Sequence, residues 1–129
     1  MKQAGYSNKP LVTKLGYKPT EKVYEFGMPH DVSKYLHEEG IELVLRSPAT
    51  WAHGFFNWMN ELEFFLSSTD LNQIEKGLWV SWPKKASGIE TDLTEQTFRD
   101  IILPLGWVDT KVSAINETWS GLLFYRHKQ

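Results

Sequence analysis

Lys84 and Lys85 stand directly after Pro83, where the apolar run GLWVSW over residues 77–82 stops. Two ammonium groups delivered by a buried strand to a sheet edge suit a phosphate, a carboxylate or a nucleotide. Arg46 and Ser47 close a second apolar run, IELVL over 41–45, and Gly27, Met28, His30 and Asp31 follow a third, EKVYEF over 21–26. In an open parallel sheet, ligands bind beyond the carboxyl ends of the strands. That rule collects Arg46, Ser47, Lys84, Lys85 and His30 as anion-binding residues at one mouth. Gly27, Met28, Trp82, Ser87 and Trp119 would line it. Two helix N-termini would point at the same place, and they favour anions as Lys and Arg do. The alternative is a solvated loop whose lysines balance nearby Asp and Glu.

Catalytic chemistry finds less support. His30 beside Asp31 has the types of a general base with an orienting carboxylate. Neighbours on a turn point apart, however, and Asp31 is better used as a helix cap. His37, His53 and His127 have no ligand spacing with one another, and the chain has no cysteine, so no metal ligand and no disulfide is assigned. Ser47, Ser81 and Ser120 lack a nucleophile elbow. Glu25 lies inside a strand and calls for a cationic partner or a raised pKa. No catalytic residue and no cofactor is expected.

The elements that must position these groups follow from period and punctuation. Residues 1–19 read as a polar, basic arm with a short turn over 11–15, packed through Tyr6, Leu11, Val12 and Leu15 or held out to a partner. Residues 20–129 read as one domain. Strand 21–26 precedes a helix that Asp31 caps and Gly40 closes. After strand 41–45, Ser47 and Pro48 predict the start of a helix over 49–66. Trp51, Phe55, Trp58, Met59, Leu62, Phe65 and Leu66 recur there at three and four residues, as core or as a dimer interface. The run 77–82 is near-continuously apolar, as a central parallel strand covered on both faces is. Thr94 caps a helix that Pro104 and Gly106 end, with Asp92 and Glu95 as a competing capping box. Residues 107–115 and 121–126 form a terminal hairpin. The order β-α-β-α-β-α-β-β predicts an α/β fold: a three-layer, Rossmann-like, mostly parallel sheet of about five strands, with helices on both faces and an antiparallel hairpin at the end.

Composition sets the outer limits. The chain has 129 residues, 41% of them hydrophobic and 14% aromatic, enough for one core and against disorder. A net charge of −2 gives no reason to expect nucleic acid or an anionic membrane as partner. No apolar run approaches the roughly 18 residues of a membrane span, and no apolar leader follows Met1. The expectation is a cytoplasmic protein whose partner is another protein, a second copy or a small anion.

Two resemblances rest on particular segments. WVSWPKK (79–85), TDLTE (91–95), LPLGWVD (103–109) and ETWSGL (117–122) together resemble a bacterial family of small proteins classed only as a domain of unknown function. With KLGYKP (14–19) the likeness covers most of the chain, and it implies no activity. KLGYKP-TEKVYEFG is also similar to the opening of class I S-adenosylmethionine methyltransferases, where a strand leads into a glycine-rich loop. EKGLWVSWP resembles a later strand of that family. This second resemblance implies a Rossmann-like, methyltransferase-like sheet. The family loop carries three closely spaced glycines, where Gly27 stands alone before Met28 and Pro29. The family places an acidic residue for the ribose hydroxyls at the end of the next strand, where this chain has Arg46. By length the chain is short of two strands and a helix of that fold. The resemblance with its departures implies a degenerate, non-catalytic module for protein interaction or small-anion binding. The alternative is a small nucleotide- or phosphate-binding enzyme, a divergent methyltransferase included, that uses the basic edge.

Overall fold

In the computed structural model, which describes residues 9–126, the chain lays down its elements in this order. They are α1 (Leu11–Leu15), β1 (Lys22–Phe26), α2 (His30–Glu38), β2 (Glu42–Val44), β3 (Ala49–Phe55), α3 (Met59–Ser68), β4 (Ile74–Pro83), α4 (Glu95–Ile102), β5 (Trp107–Ala114) and β6 (Trp119–Arg126), with three short 3₁₀ turns between them. Tyr6 and His127 lie outside the described residues. The six strands form one sheet in the order β2-β1-β3-β4-β6-β5. β2, β1, β3 and β4 run parallel, and β6 and β5 close the sheet antiparallel. The architecture is the expected α/β one, a mostly parallel sheet with helices and a C-terminal antiparallel hairpin, and it holds one strand more than predicted.

The extra strand is a correction. Residues 49–66 are not one helix but β3, a short connection and α3. Thr50, Trp51 and Phe55 are good strand formers, and the residue before Pro48 is pushed towards extended backbone. Period 2 rules here. From Trp51 on, Trp51 and Phe55 belong to the cluster that α1 and α2 cover, while Ala52 packs into the cluster of α3 and α4; an irregularity between Ala49 and Trp51 turns Ala49 to that second side as well. Because both faces of β3 are buried, its apolar residues show no alternation, and their three- and four-residue spacing is accidental. Gly54 is required: a Cβ there would lie 2.3 Å from the ring of Phe56. With β3 in place, β2 connects to it through residues 45–48 alone, passing β1 without a helix.

The sheet divides the core in two. Tyr24, Leu78, Val80, Trp82, Leu122 and Phe124 meet Leu62, Phe65, Phe98 and Ile102 of α3 and α4. Val23, Trp51, Phe55, Trp79 and Leu123 meet Leu11, Leu15, Val32 and Leu36 of α1 and α2. The expected turn over 11–15 is thus α1, a piece of the second core with Leu15 fully buried.

The helix ends are secured in three ways. α2 is preceded by Pro29, and Asp31 sits inside its first turn without capping a backbone N–H, so the expected Asp31 cap is corrected. Gly40 closes α2 at φ 84°, in the left-handed region, as predicted. Thr94 caps α4 as predicted by accepting from the Thr97 N–H. Asp92 is not its rival. Asp92 Oδ1 accepts instead from the Met59 N–H at 2.8 Å, and Glu61 Oε1 accepts from Asn57 N–H and Trp58 N–H, so both carboxylates serve the start of α3. Asp92→Ala is therefore expected to destabilise the protein by about 1 kcal/mol in urea unfolding, through α3 rather than α4. An unchanged midpoint would show that Glu61 suffices alone.

Candidate functional site

The carboxyl ends of β1 and β2 border a cleft of about 460 Å³ on the α3 side of the sheet, and three of the sequence-selected positions line it. Gly27, Arg46 and Ser47 line it, with Tyr24, Phe26, Leu45, Phe64, Ser68 and Thr69. Gly27 has φ 67°, and a Cβ there would stand 2.7 Å from the Phe55 carbonyl oxygen, so the chain can leave β1 this close to β3 only as glycine. Met28 does not join them: it is half-buried against the α1 and α2 core. Phe26 and Phe64 give the cleft an aromatic wall with centroids 6.1 Å apart, and Phe64 is 62% exposed. Tyr24 and Thr69 are hydrogen bonded through their hydroxyls at 3.1 Å. Arg46 is exposed and makes no ion pair among the described residues.

Glu25 borders the same cleft, but it lies beside His53 in the sheet register, on the strand face opposite Tyr24 and Phe26. No cationic partner is found among the described residues, so of the two expected outcomes pairing, the commoner, gives way to the raised pKa. Burial raises its pKa, and the Met28 backbone N–H that it accepts lowers it in part.

The predicted single mouth divides in two. Lys84 follows β4, and β1 and β3 separate that strand from β2, which Arg46 follows. Its backbone N–H donates to the Thr118 carbonyl at 2.8 Å, and its charge acts on Lys14 of α1, on the other face of the sheet. Lys85 is exposed at the start of a 3₁₀ turn over Lys85–Ser87. Ser87 is engaged within that turn, its hydroxyl donating to the Lys84 carbonyl and accepting from the Ile89 N–H. His30 is the exposed first residue of α2. Trp82 is 8% exposed and packs on Phe98 at 5.1 Å in the core. Trp119 stands edge-on to Phe55 at 5.2 Å, its backbone N–H held by Asn116 Oδ1.

Sequence reasoning missed the most buried polar group. His53 on β3 is fully buried, with Nδ1 2.9 Å from the Tyr17 hydroxyl and Nε2 2.8 Å from Ser81 Oγ. Its ring stacks on Phe55 at 4.4 Å. Burial lowers the pKa of His53 to about 3 and pushes Tyr17 well up, so both are neutral at ordinary pH. The signal was period 2 through Trp51, His53 and Phe55, which becomes legible only once 49–55 is read as a strand. The three groups satisfy one another beneath α1, away from solvent, and the arrangement is a core tie rather than an acid–base centre.

Among the described residues no His, Cys, Asp or Glu group of three could hold a metal ion, and no helix is long and apolar enough to cross a membrane. No family model and no curated protein matches the chain. Among solved structures, LepI in complex with SAH and a substrate analogue aligns with 91% of this chain at 10% identity and a TM-score of 0.47. LepI in complex with SAM aligns with 91% at 11% identity and a TM-score of 0.43. A dimethyladenosine transferase from Plasmodium falciparum aligns with 92% at 12% identity and a TM-score of 0.44. The chain spans 39% of the length of the LepI structures and 59% of that of the transferase.

Proposed function

We propose that this chain is a non-catalytic, methyltransferase-like binding module that takes a small anionic molecule into the α3-side cleft. The observation that carries this reading is Arg46. It is a cation without a carboxylate partner among the described residues, and it lines a cleft that also presents the exposed Phe64 ring and the hydroxyl-bearing residues Ser47, Ser68 and Thr69. A guanidinium beside an aromatic wall suits a ligand with a negative group and a flat body. The same position argues against a ribose held in the usual methyltransferase manner, because a cation stands where that family has an acid.

A thermal-shift panel of nucleotides, inorganic phosphates and S-adenosyl compounds tests the reading. A ligand at a hundred times its dissociation constant stabilises by about 2.7 kcal/mol, which such a screen resolves. Arg46→Ala is expected to weaken a hit by roughly tenfold to a hundredfold, the worth of one charged hydrogen bond. A panel without a shift, or a shift that Arg46→Ala leaves intact, removes the proposal. The second reading is a small enzyme at the same edge, favoured by the raised pKa of Glu25, a common mark of proton-transfer sites. It requires turnover that Glu25→Gln abolishes while ligand affinity stays.

A further inference from the structure

On the opposite face of the sheet, three lysines gather with no acid among them. Lys14 is the fourth residue of α1 and only 8% exposed, among the most buried charged residues described. Among the described residues its ammonium has no hydrogen bond and no ion pair, and the charges that act on it, Lys84 and Lys111, are both positive. A lysine side chain this enclosed normally has its charge paired, because desolvation without a partner is costly. The other two lysines are held in place by the fold. Lys111 Nζ donates to the Lys14 carbonyl at 2.8 Å and lies 5.8 Å from the centroid of the Trp79 ring. Lys84 is anchored through its backbone N–H to Thr118.

We propose that Lys14, Lys84 and Lys111 form a binding site for a multiply charged oxyanion, of the pyrophosphate class, on the α1 side of the sheet. The class follows from the donor set. Three ammonium groups supply donors and positive charge only, so a zwitterion would find no acceptor for its own cation. A single carboxylate would leave two of the three charges unmatched. A diphosphate has enough oxygens to meet all three ammonium groups and enough charge to end their mutual repulsion. The elements that converge here are α1, the end of β4 and the edge strand β5, so one ligand would tie together three segments far apart in sequence.

Calorimetric titration with pyrophosphate at fixed ionic strength tests the site, with chloride as the control anion. Saturable binding is expected in the natural chain. Lys84→Ala, which keeps the backbone bond to Thr118, and Lys14→Met, which replaces a buried charge by an apolar chain of similar length, should each weaken it by about tenfold or more. Lys22→Ala, at an exposed lysine that belongs to neither site, should leave it unchanged, and binding that falls with Arg46→Ala but not with Lys84→Ala would belong to the cleft and overturn this site. Ligand-free Lys14→Met should melt higher than the natural chain, since an unmatched buried charge has gone. Should Lys14→Met fail to fold, Lys84→Ala carries the test. No saturable heat at millimolar pyrophosphate, or an affinity that Lys84→Ala does not change, overturns the proposal.

Discussion

Trp79→Ala is expected to cost about 3–5 kcal/mol and to lower the melting temperature by roughly 10–20 °C. Trp79 is fully buried at the centre of β4 and does three jobs at once. Its ring fills the space between the sheet and α1, in the same cluster as Leu11, Leu15 and Trp51. Its Nε1–H donates to the Leu15 carbonyl at 3.0 Å, at the end of α1, whose last carbonyls have no partner within the helix. Its face lies under the Lys111 ammonium. The neighbouring strand is cut to fit: a Cβ at Gly121 would stand 3.1 Å from the indole, and Leu123, opposite Trp79 in the register, is the side chain of β6 that shares its cluster. Trp79→Phe separates the terms, because it keeps most of the ring and leaves the Leu15 carbonyl without its donor. It should cost about 1–3 kcal/mol. Denaturant unfolding of both variants checks the pair. A loss below about 1.5 kcal/mol for Trp79→Ala would mean that α1 is not tied to the sheet as described.

The strongest local signals in the sequence were reliable because each was physically overdetermined. The run over 77–82 is apolar on both faces because β4 is covered on both. The Thr94 cap and the Pro104–Gly106 stop bracket α4 by chemistry that acts within one turn. The hairpin of β5 and β6 is marked by the turn over 116–118 between two strand-forming runs, although β5, at the sheet edge, is exposed along most of its length. Residues 49–66 misled because burial on both faces erases the strand period, and Trp51, Phe55, Trp58 and Leu62 then imitate a helix by accident. That single error propagated. With 49–55 as a helix, the sheet lost a strand, and the ends of β2 and β4 came closer than they are. Arg46 and Lys84 then shared a mouth on paper. With β3 between them, Arg46 stays on the α3 side and Lys84 turns to Lys14. Lys14 and Lys111 were invisible as a pair because 97 residues separate them and each looks like an ordinary surface lysine in its own segment.

Acid should unfold this protein through His53. The group is fully buried with a pKa of about 3, against about 6.5 in an unfolded chain. Between these values the unfolded state binds the proton that the native state refuses. Stability is therefore fully present above pH 6.5 and falls as pH drops, by roughly 1.4 kcal/mol for each pH unit until about pH 3. At pH 4.5 the loss reaches about 2.7 kcal/mol, a large share of the stability of a domain this size. The groups packed around the ring do not offset it. Tyr17 and Ser81 are neutral, and Phe55 and Trp79 are apolar. Three carboxylates act in the same range: Asp109, held low by its hydrogen bond from Arg99, is exposed and adds only weakly to the loss, and the other two have opposite signs. Glu21, held below the usual range by Lys76 and by the Trp51 and Lys18 N–H groups despite some desolvation, adds to the loss on acidification. Glu25, raised by burial, works against it, and weakly, since it is only half-buried. His53→Gln keeps a donor and an acceptor between Tyr17 and Ser81 and has no proton to take up. Its urea midpoint should be lower than that of the natural chain at pH 7 and nearly level from there to pH 5, where the natural chain falls steeply. If the two chains lose stability in parallel over that range, the proton enters elsewhere and the buried, neutral His53 is not the acid-sensitive element.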